Sequence, residues 1–144
     1  MKQLEEMTLD VSQSVEINAS EEEVFDQLLL RLTEKSATPD NQPMPMVMEQ
    51  WPGGRWFRDL GNDQGHLWGF VQVIKPPKLL ELSGPMFMSY PAMGHVQFRV
   101  SELLSGGCDL MLRHRVVGLI EDDHRKGLTE GWSAYLNDVK RMSE

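Results

Sequence analysis

GHVQFRVSELLSGGCDLMLRHRVVG, residues 94–118, decides the fold of this chain. Before Ser105-Gly106-Gly107, Val96, Phe98 and Val100 alternate with His95, Gln97 and Arg99. After it, Leu110, Leu112, His114 and Val116 alternate with Met111, Arg113 and Arg115. Successive side chains of a strand point to opposite faces, so apolar spacing of two on both sides of a glycine-rich break predicts a half-buried hairpin. From Glu121 the period changes. Leu128, Trp132, Tyr135, Leu136, Val139 and Met142 fall on one side of a helix, which predicts a long amphipathic helix over Glu121–Met142. An antiparallel sheet with such a helix laid across it commonly encloses a small molecule.

Toward the N-terminus, Met7, Leu9, Val11, Val15 and Ile17 alternate with Thr8, Asp10, Ser12, Ser14 and Glu16 and predict a first strand. Ser20 and Glu23 then form a capping box, in which hydroxyl and carboxylate each take one orphan amide of a helix start. Val24, Phe25, Leu28, Leu29 and Leu32 supply its apolar stripe, for a helix of roughly four turns. Lys35–Pro45, with three Pro, reads as a loop or at most one helical turn. Strands follow at Met46–Trp51, Arg55–Leu60, His66–Ile74 and Lys78–Ser83, separated by Pro52-Gly53-Gly54, Gly61–Gly65 and Pro76-Pro77. His66–Ile74 is apolar on both faces. The order is one strand, one helix, about six strands with short connections, and a final helix: a single α+β domain spanning residues 1–144.

Composition narrows the partners. A length of 144 residues, 40% hydrophobic and 25% charged, fits one globular domain with a sizeable core. The net charge of −8 argues against nucleic acid and anionic membrane, because phosphate binding needs a basic face. The lone Cys108 cannot form a disulfide within the chain. No apolar run approaches the ~20 residues of a membrane span, and MKQLEEMTLD lacks the apolar core of a signal segment. These features together predict a cytoplasmic protein. Ten Met and four Trp supply side chains that adapt well to irregular apolar spaces.

Five stretches carry a resemblance: VEINASEEEVF (15–25), PGGRWFR (52–58), GFVQVIKPPKL (69–79), the hairpin from Val96 to His114, and GWSAYLNDVK (131–140). In this order and spacing the chain resembles the START-like, or SRPBCC, superfamily. Within it the sequence is similar to the branch related to the Aha-type activator of heat-shock chaperone ATPase, which overlaps polyketide cyclase-like proteins. The departure lies at Lys35–Pro45, where relatives carry a clearer short helix ending in aromatics. The resemblance implies the helix-grip fold of the birch-pollen-allergen type, an antiparallel sheet wrapped around the C-terminal helix, with an interior cavity. Members range from lipid carriers to cyclases and co-chaperones, so no single activity follows.

The candidate ligand-binding residues are Trp51, Trp56, His66, Trp68, Met86, Met88, Tyr90, Phe98, Leu112, His114, Trp132 and Tyr135. Bulky, adaptable walls suit a small-molecule pocket, although the same residues also suit a filled core. His114 shares a face with Leu110 and Leu112 and points inward. A neutral imidazole there offers one donor and one acceptor to a ligand, or is simply a satisfied core histidine. His66 stands at a strand start, at the pocket mouth or in solvent; His95 and His124 read as exposed. The four His lack metal-ligand spacing, so no metal is expected. No cofactor is expected either, since neither GxSxG nor GxxxxGK[ST] occurs. Glu49 with Asp59 could form a carboxylate pair, and Arg55 with Arg58 could hold an anion, but both read more simply as solvated strand faces. Cys108 reads as a plain strand-end thiol.

Three functions remain open. The leading one is binding of an apolar or aromatic small molecule between sheet and last helix. The second is a protein-interaction module of the chaperone-activator type, with a chaperone or a second copy of the chain as partner. The third is a cyclase or hydrolase using His114 with a nearby tyrosine or carboxylate as acid and base.

Overall fold

The structure is a computed structural model that describes residues 3–144, so Met1 and Lys2 lie outside the described residues. The predicted alternation becomes strand at Thr8–Ile17 (β1), Ala92–Glu102 (β6) and Cys108–Gly118 (β7); Met7 belongs to a short 3-10 turn ahead of β1. Between them run Glu21–Leu32 (α1), Val47–Met48 (β2), Arg55–Gly61 (β3), Gln64–Lys75 (β4) and Leu79–Gly84 (β5). Asp122–Ser143 (α2) closes the chain. All seven strands form one antiparallel sheet in the order β1-β7-β6-β5-β4-β3-β2. Among the described residues no helix is long and apolar enough to cross a membrane.

The β6–β7 hairpin fixes the inner face. Its register sets Phe98 opposite Leu112, Val96 opposite His114 and Val100 opposite Leu110. All six are buried, whereas the intervening Gln97, Arg99, Arg113 and Arg115 face outward. Gly107 is required at the turn: its φ is +73°, and a Cβ there would stand 2.6 Å from the carbonyl oxygen of Ile17. Across this face lies α2, whose Leu128, Trp132, Leu136 and Val139 are buried as the spacing predicted. It begins at Asp122, with Glu121 as the cap residue. α1 packs beside it, capped by Ser20, whose Oγ accepts from the amide of Glu23 at 3.1 Å.

Two elements are shorter than the sequence predicts, and Lys35–Pro45 takes the looped form of the two it allows. α1 has twelve residues rather than four turns, because the Thr33 amide turns back to the Leu30 carbonyl and tightens the end. Residues 33–46 carry no helix; an Ala37–Pro43 bridge folds them into a loop. The expected strand Met46–Trp51 shrinks to Val47–Met48, since Glu49 pairs its amide with the Arg55 carbonyl and the chain turns outward from there. β4 resolves its own ambiguity through irregular register at Trp56/Phe57 and at Val71/Val73. These shifts turn Trp68 and Val71 inward and leave Leu67 and Phe70 exposed.

Candidate functional site

The two surfaces that face each other across the interior carry most of the predicted residues. Trp56, Trp68, Met86, Met88, Phe98, Leu112, His114 and Trp132 are buried, and His66, Tyr90 and Tyr135 are half-buried. Their rings come together in two groups, whereas Met88 packs in a separate cluster with Ala92, Val116 and Ile120. Trp56 meets Trp68 edge-on at 5.2 Å, and Trp68 meets Phe87 at 6.1 Å. Trp132 of α2 lies 5.9 Å from Phe98 and 5.1 Å from Tyr135. Such edge-to-face contacts add to burial and give the wall a defined shape.

Trp51 does not join them. It sits in the turn between β2 and β3, 58% exposed, because the chain leaves the sheet at Glu49. That expectation is corrected. His66 is placed beside the wall, its Nδ1 accepting from the Trp68 indole at 3.2 Å. Tyr90 bonds through its hydroxyl to Nδ1 of His124 at 2.6 Å. His124 is therefore half-buried rather than exposed, stacked on Tyr90 and edge-on to Phe87. His95, also expected in solvent, is half-buried on the outer face against Glu81 at 2.7 Å.

Each buried indole N–H has found an acceptor. Trp56 donates to the Leu32 carbonyl at 2.9 Å, and Trp132 donates to Nδ1 of His114 at 2.9 Å. The second bond fixes the histidine. With Nδ1 accepting, the proton of the neutral ring belongs on Nε2. Burial, and secondarily the charge of His95, push the His114 pKa down to about 4, so the ring is neutral at physiological pH. Nε2 is buried with no partner. It leans over Gly94, where a Cβ would stand only 2.7 Å away. A glycine at this inward position of β6 is what leaves the imidazole its room.

The other chemistries weighed on sequence find no support in this geometry. Glu49 clasps Arg55 through both carboxylate oxygens, at 2.7 and 2.8 Å, and that hydrogen bonding holds its pKa at about 2. Asp59 accepts the Gly61 amide in the next turn, and Arg58 donates to the Pro45 carbonyl. These residues hold turns together and do not converge. Cys108 is buried, its thiol pushed up by burial and directed at the Ala19 carbonyl. His114 bonds an indole at Nδ1, which cannot relay a proton, and among the described residues no tyrosine or carboxylate bonds its Nε2. Among the described residues no three His, Cys, Asp or Glu side chains gather as metal ligands.

Two polar groups escaped the sequence reading. Among the described residues, Arg31 Nη1 and Ser36 Oγ are, with His114 Nε2, the buried side-chain polar atoms without a partner. Arg31 lies on α1 three residues after Leu28 and seven after Val24, in the same stripe, and that spacing was a readable signal of an inward guanidinium.

The fold places the chain among known structures. One domain of the di-domain ARO/CYC BexL from the BE-7585A biosynthetic pathway matches with TM-score 0.69 at 18% identity, over 96% of this chain and 51% of that one. An uncharacterised protein of Rhizobium leguminosarum matches with TM-score 0.72 at 13% identity, covering 94% of each chain. Ara h 8.0201 matches with TM-score 0.68 at 8% identity, over 94% of this chain and 97% of that one. The chain thus spans about half the length of BexL. No family model matches the sequence, and no curated protein matches it. The architecture is the helix-grip fold, as the START-like resemblance implied.

Proposed function

We propose that this protein binds an apolar or aromatic small molecule between the sheet and α2, with one oxygen of the ligand on the Nε2–H of His114. The observation that carries the reading is that nitrogen: a fully buried atom without a partner, on a ring whose other nitrogen already accepts from an indole. Leaving such a group unpaired is costly, and a carbonyl or hydroxyl oxygen of a guest would relieve it. BexL, an ARO/CYC from a biosynthetic pathway, supports a small organic guest. Aromatic side chains that touch one another, with Met86 in the same core cluster, would have to part to admit it, and methionine is the side chain best suited to that.

Prodan, a neutral naphthalene dye with a ketone oxygen, tests the reading by its emission shift. Parent protein should bind it, and His114→Met should weaken binding by about five- to a hundred-fold, the worth of one buried hydrogen bond. Methionine keeps a weak acceptor for the Trp132 indole while removing the donor. Prodan emission unchanged by the parent protein would overturn the proposal.

A second reading, a protein-interaction module of the chaperone-activator type, is favoured by the outer face of β2–β4. There Val47, Leu67 and Phe70 are each about half exposed, on strands whose register sets Val47 opposite Phe57 and Phe57 opposite Leu67. Stimulation of a heat-shock chaperone ATPase, lost in Leu67→Glu but kept in His114→Met, would select this reading; no stimulation would dismiss it.

A further inference from the structure

Arg31 is an unusual group to find between two helices. It is 7% exposed, on the face of α1 that meets α2. Its only described hydrogen bond runs from Nε to Oδ2 of Asp138 at 2.9 Å, and the guanidinium lies 3.8 Å over the ring of Tyr135. The paired Nη donors, the part of arginine that matches a planar oxyanion two atoms at a time, are left over, and Nη1 is buried with no partner.

Asp138 is shared. It gives its second oxygen to Arg141, whose Nη2 donates to Oδ1 at 3.0 Å, but Arg141 is 67% exposed and solvated, whereas Arg31 is buried. Asp138 therefore balances the charge of Arg31 through Nε alone and leaves Nη1 without an acceptor. A buried donor without an acceptor is costly, and the acceptor that best fits a guanidinium is an oxyanion.

Arg31 also adjoins the site already described. Successive ring contacts link it to His114: Arg31 over Tyr135, Tyr135 at 5.1 Å from Trp132, and Trp132 at 5.6 Å from His114. One face of α2 thus presents two aromatic rings with an unpaired neutral donor, His114 Nε2, at one end and a guanidinium whose Nη1 lacks an acceptor at the other.

We infer that Arg31 is an oxyanion subsite and that the guest is an amphipathic organic acid, its carboxylate on the Arg31 fork and its apolar body along Trp132 and Tyr135. This rests on the small-molecule reading and adds the charge of the ligand to it.

Two dyes with one scaffold separate the questions: 1-anilinonaphthalene-8-sulfonate carries an anion, and N-phenyl-1-naphthylamine does not. Parent protein should bind the anionic dye at least about ten-fold more tightly, the worth of a charge-assisted pair, despite the repulsion from an acidic protein. Arg31→Met should abolish that preference and leave the neutral dye unaffected; Arg141 still neutralises Asp138 in this variant. Arg31→Lys, which keeps the charge but loses the fork, should retain only part of the preference. Asp138→Asn, which removes the counter-charge of Arg31, should strengthen anionic binding. Displacement of the anionic dye by 2-naphthoate or by dodecanoate would support the subsite and tell an aromatic acid from an aliphatic one. Equal affinity for the two dyes in the parent, or a preference that survives Arg31→Met, overturns the subsite even where prodan binds. Failure of prodan to bind overturns the small-molecule reading itself.

Discussion

At His114 a single hydrogen bond decides the properties of the ring, and those properties can be measured without any ligand. The Trp132 indole takes Nδ1, burial keeps the ring neutral, and the pKa falls to about 4 from the ordinary 6.5. In the unfolded chain the imidazole takes up a proton as the pH drops below about 6.5, whereas the folded protein resists until about pH 4. The stability tied to this group is therefore fully present above pH 6.5 and is lost as pH falls toward 4, by about 3 kcal/mol at most. Urea midpoints at pH 7 and pH 4.5 should fall further for the parent than for His114→Met, which has no such proton to take up. An equal fall in both would mean that the ring titrates freely in the folded protein. The same bond separates two replacements of similar size. His114→Phe strands the indole N–H of Trp132 and should cost about 1–3 kcal/mol in equilibrium unfolding, more than His114→Met, which leaves sulfur as a weak acceptor.

Elements were legible where a period stands out and a turn has its own chemistry. β1, the β6–β7 hairpin and the buried stripe of α2 follow from apolar spacing, and Ser20 marks the start of α1 by its cap. What stayed hidden depends on register and on distant partners. The irregular pairing around Trp68 sends Leu67 and Phe70 outward in a strand whose apolar residues lie on both faces, and no period reveals a bulge. Trp51 lies outside the wall because Pro52 marks the turn three residues late; the chain already leaves the ladder at Glu49. The Tyr90–His124 and Arg31–Asp138 pairs join residues 34 and 107 apart, which only the fold brings together. The grip of α2 is itself testable. Trp132 is 5% exposed and touches Phe98, His114 and Tyr135, so Trp132→Ala leaves a cavity and an unpartnered His114 Nδ1. A loss of about 3–5 kcal/mol is expected in urea unfolding; a midpoint equal to that of the parent would mean that α2 does not hold the sheet.

For the molecule as a whole, an open sheet has two edges to protect, and this one treats them differently. β2 has only two residues, and Pro43 and Pro45 just before it have no N–H to offer a neighbouring strand. β1 is ten residues long, and α2 covers part of it. Arg125 donates to the carbonyls of Thr8 and Glu6 at 2.8 and 2.7 Å, and Lys140 donates to the carbonyl of Glu16 at 2.9 Å. Gln13 answers from the strand, its side-chain amide donating to the Thr129 carbonyl of the helix at 2.6 Å. One helix thus closes the interior with its apolar stripe and occupies both ends of an exposed edge with two cations. Replacing Arg125 and Lys140 together by Ala should free these carbonyls while leaving Leu128, Trp132, Leu136 and Val139 in place. The double variant should associate more strongly than the parent as concentration rises, seen as a growing sedimentation coefficient, with faster amide exchange along Thr8–Ile17. The substitution makes a net charge of −8 more negative by two, which opposes association. A rise in self-association would then come from the bared edge rather than from charge. Sedimentation and exchange that match the parent at every concentration would mean that β1 is guarded by its own side chains and not by α2.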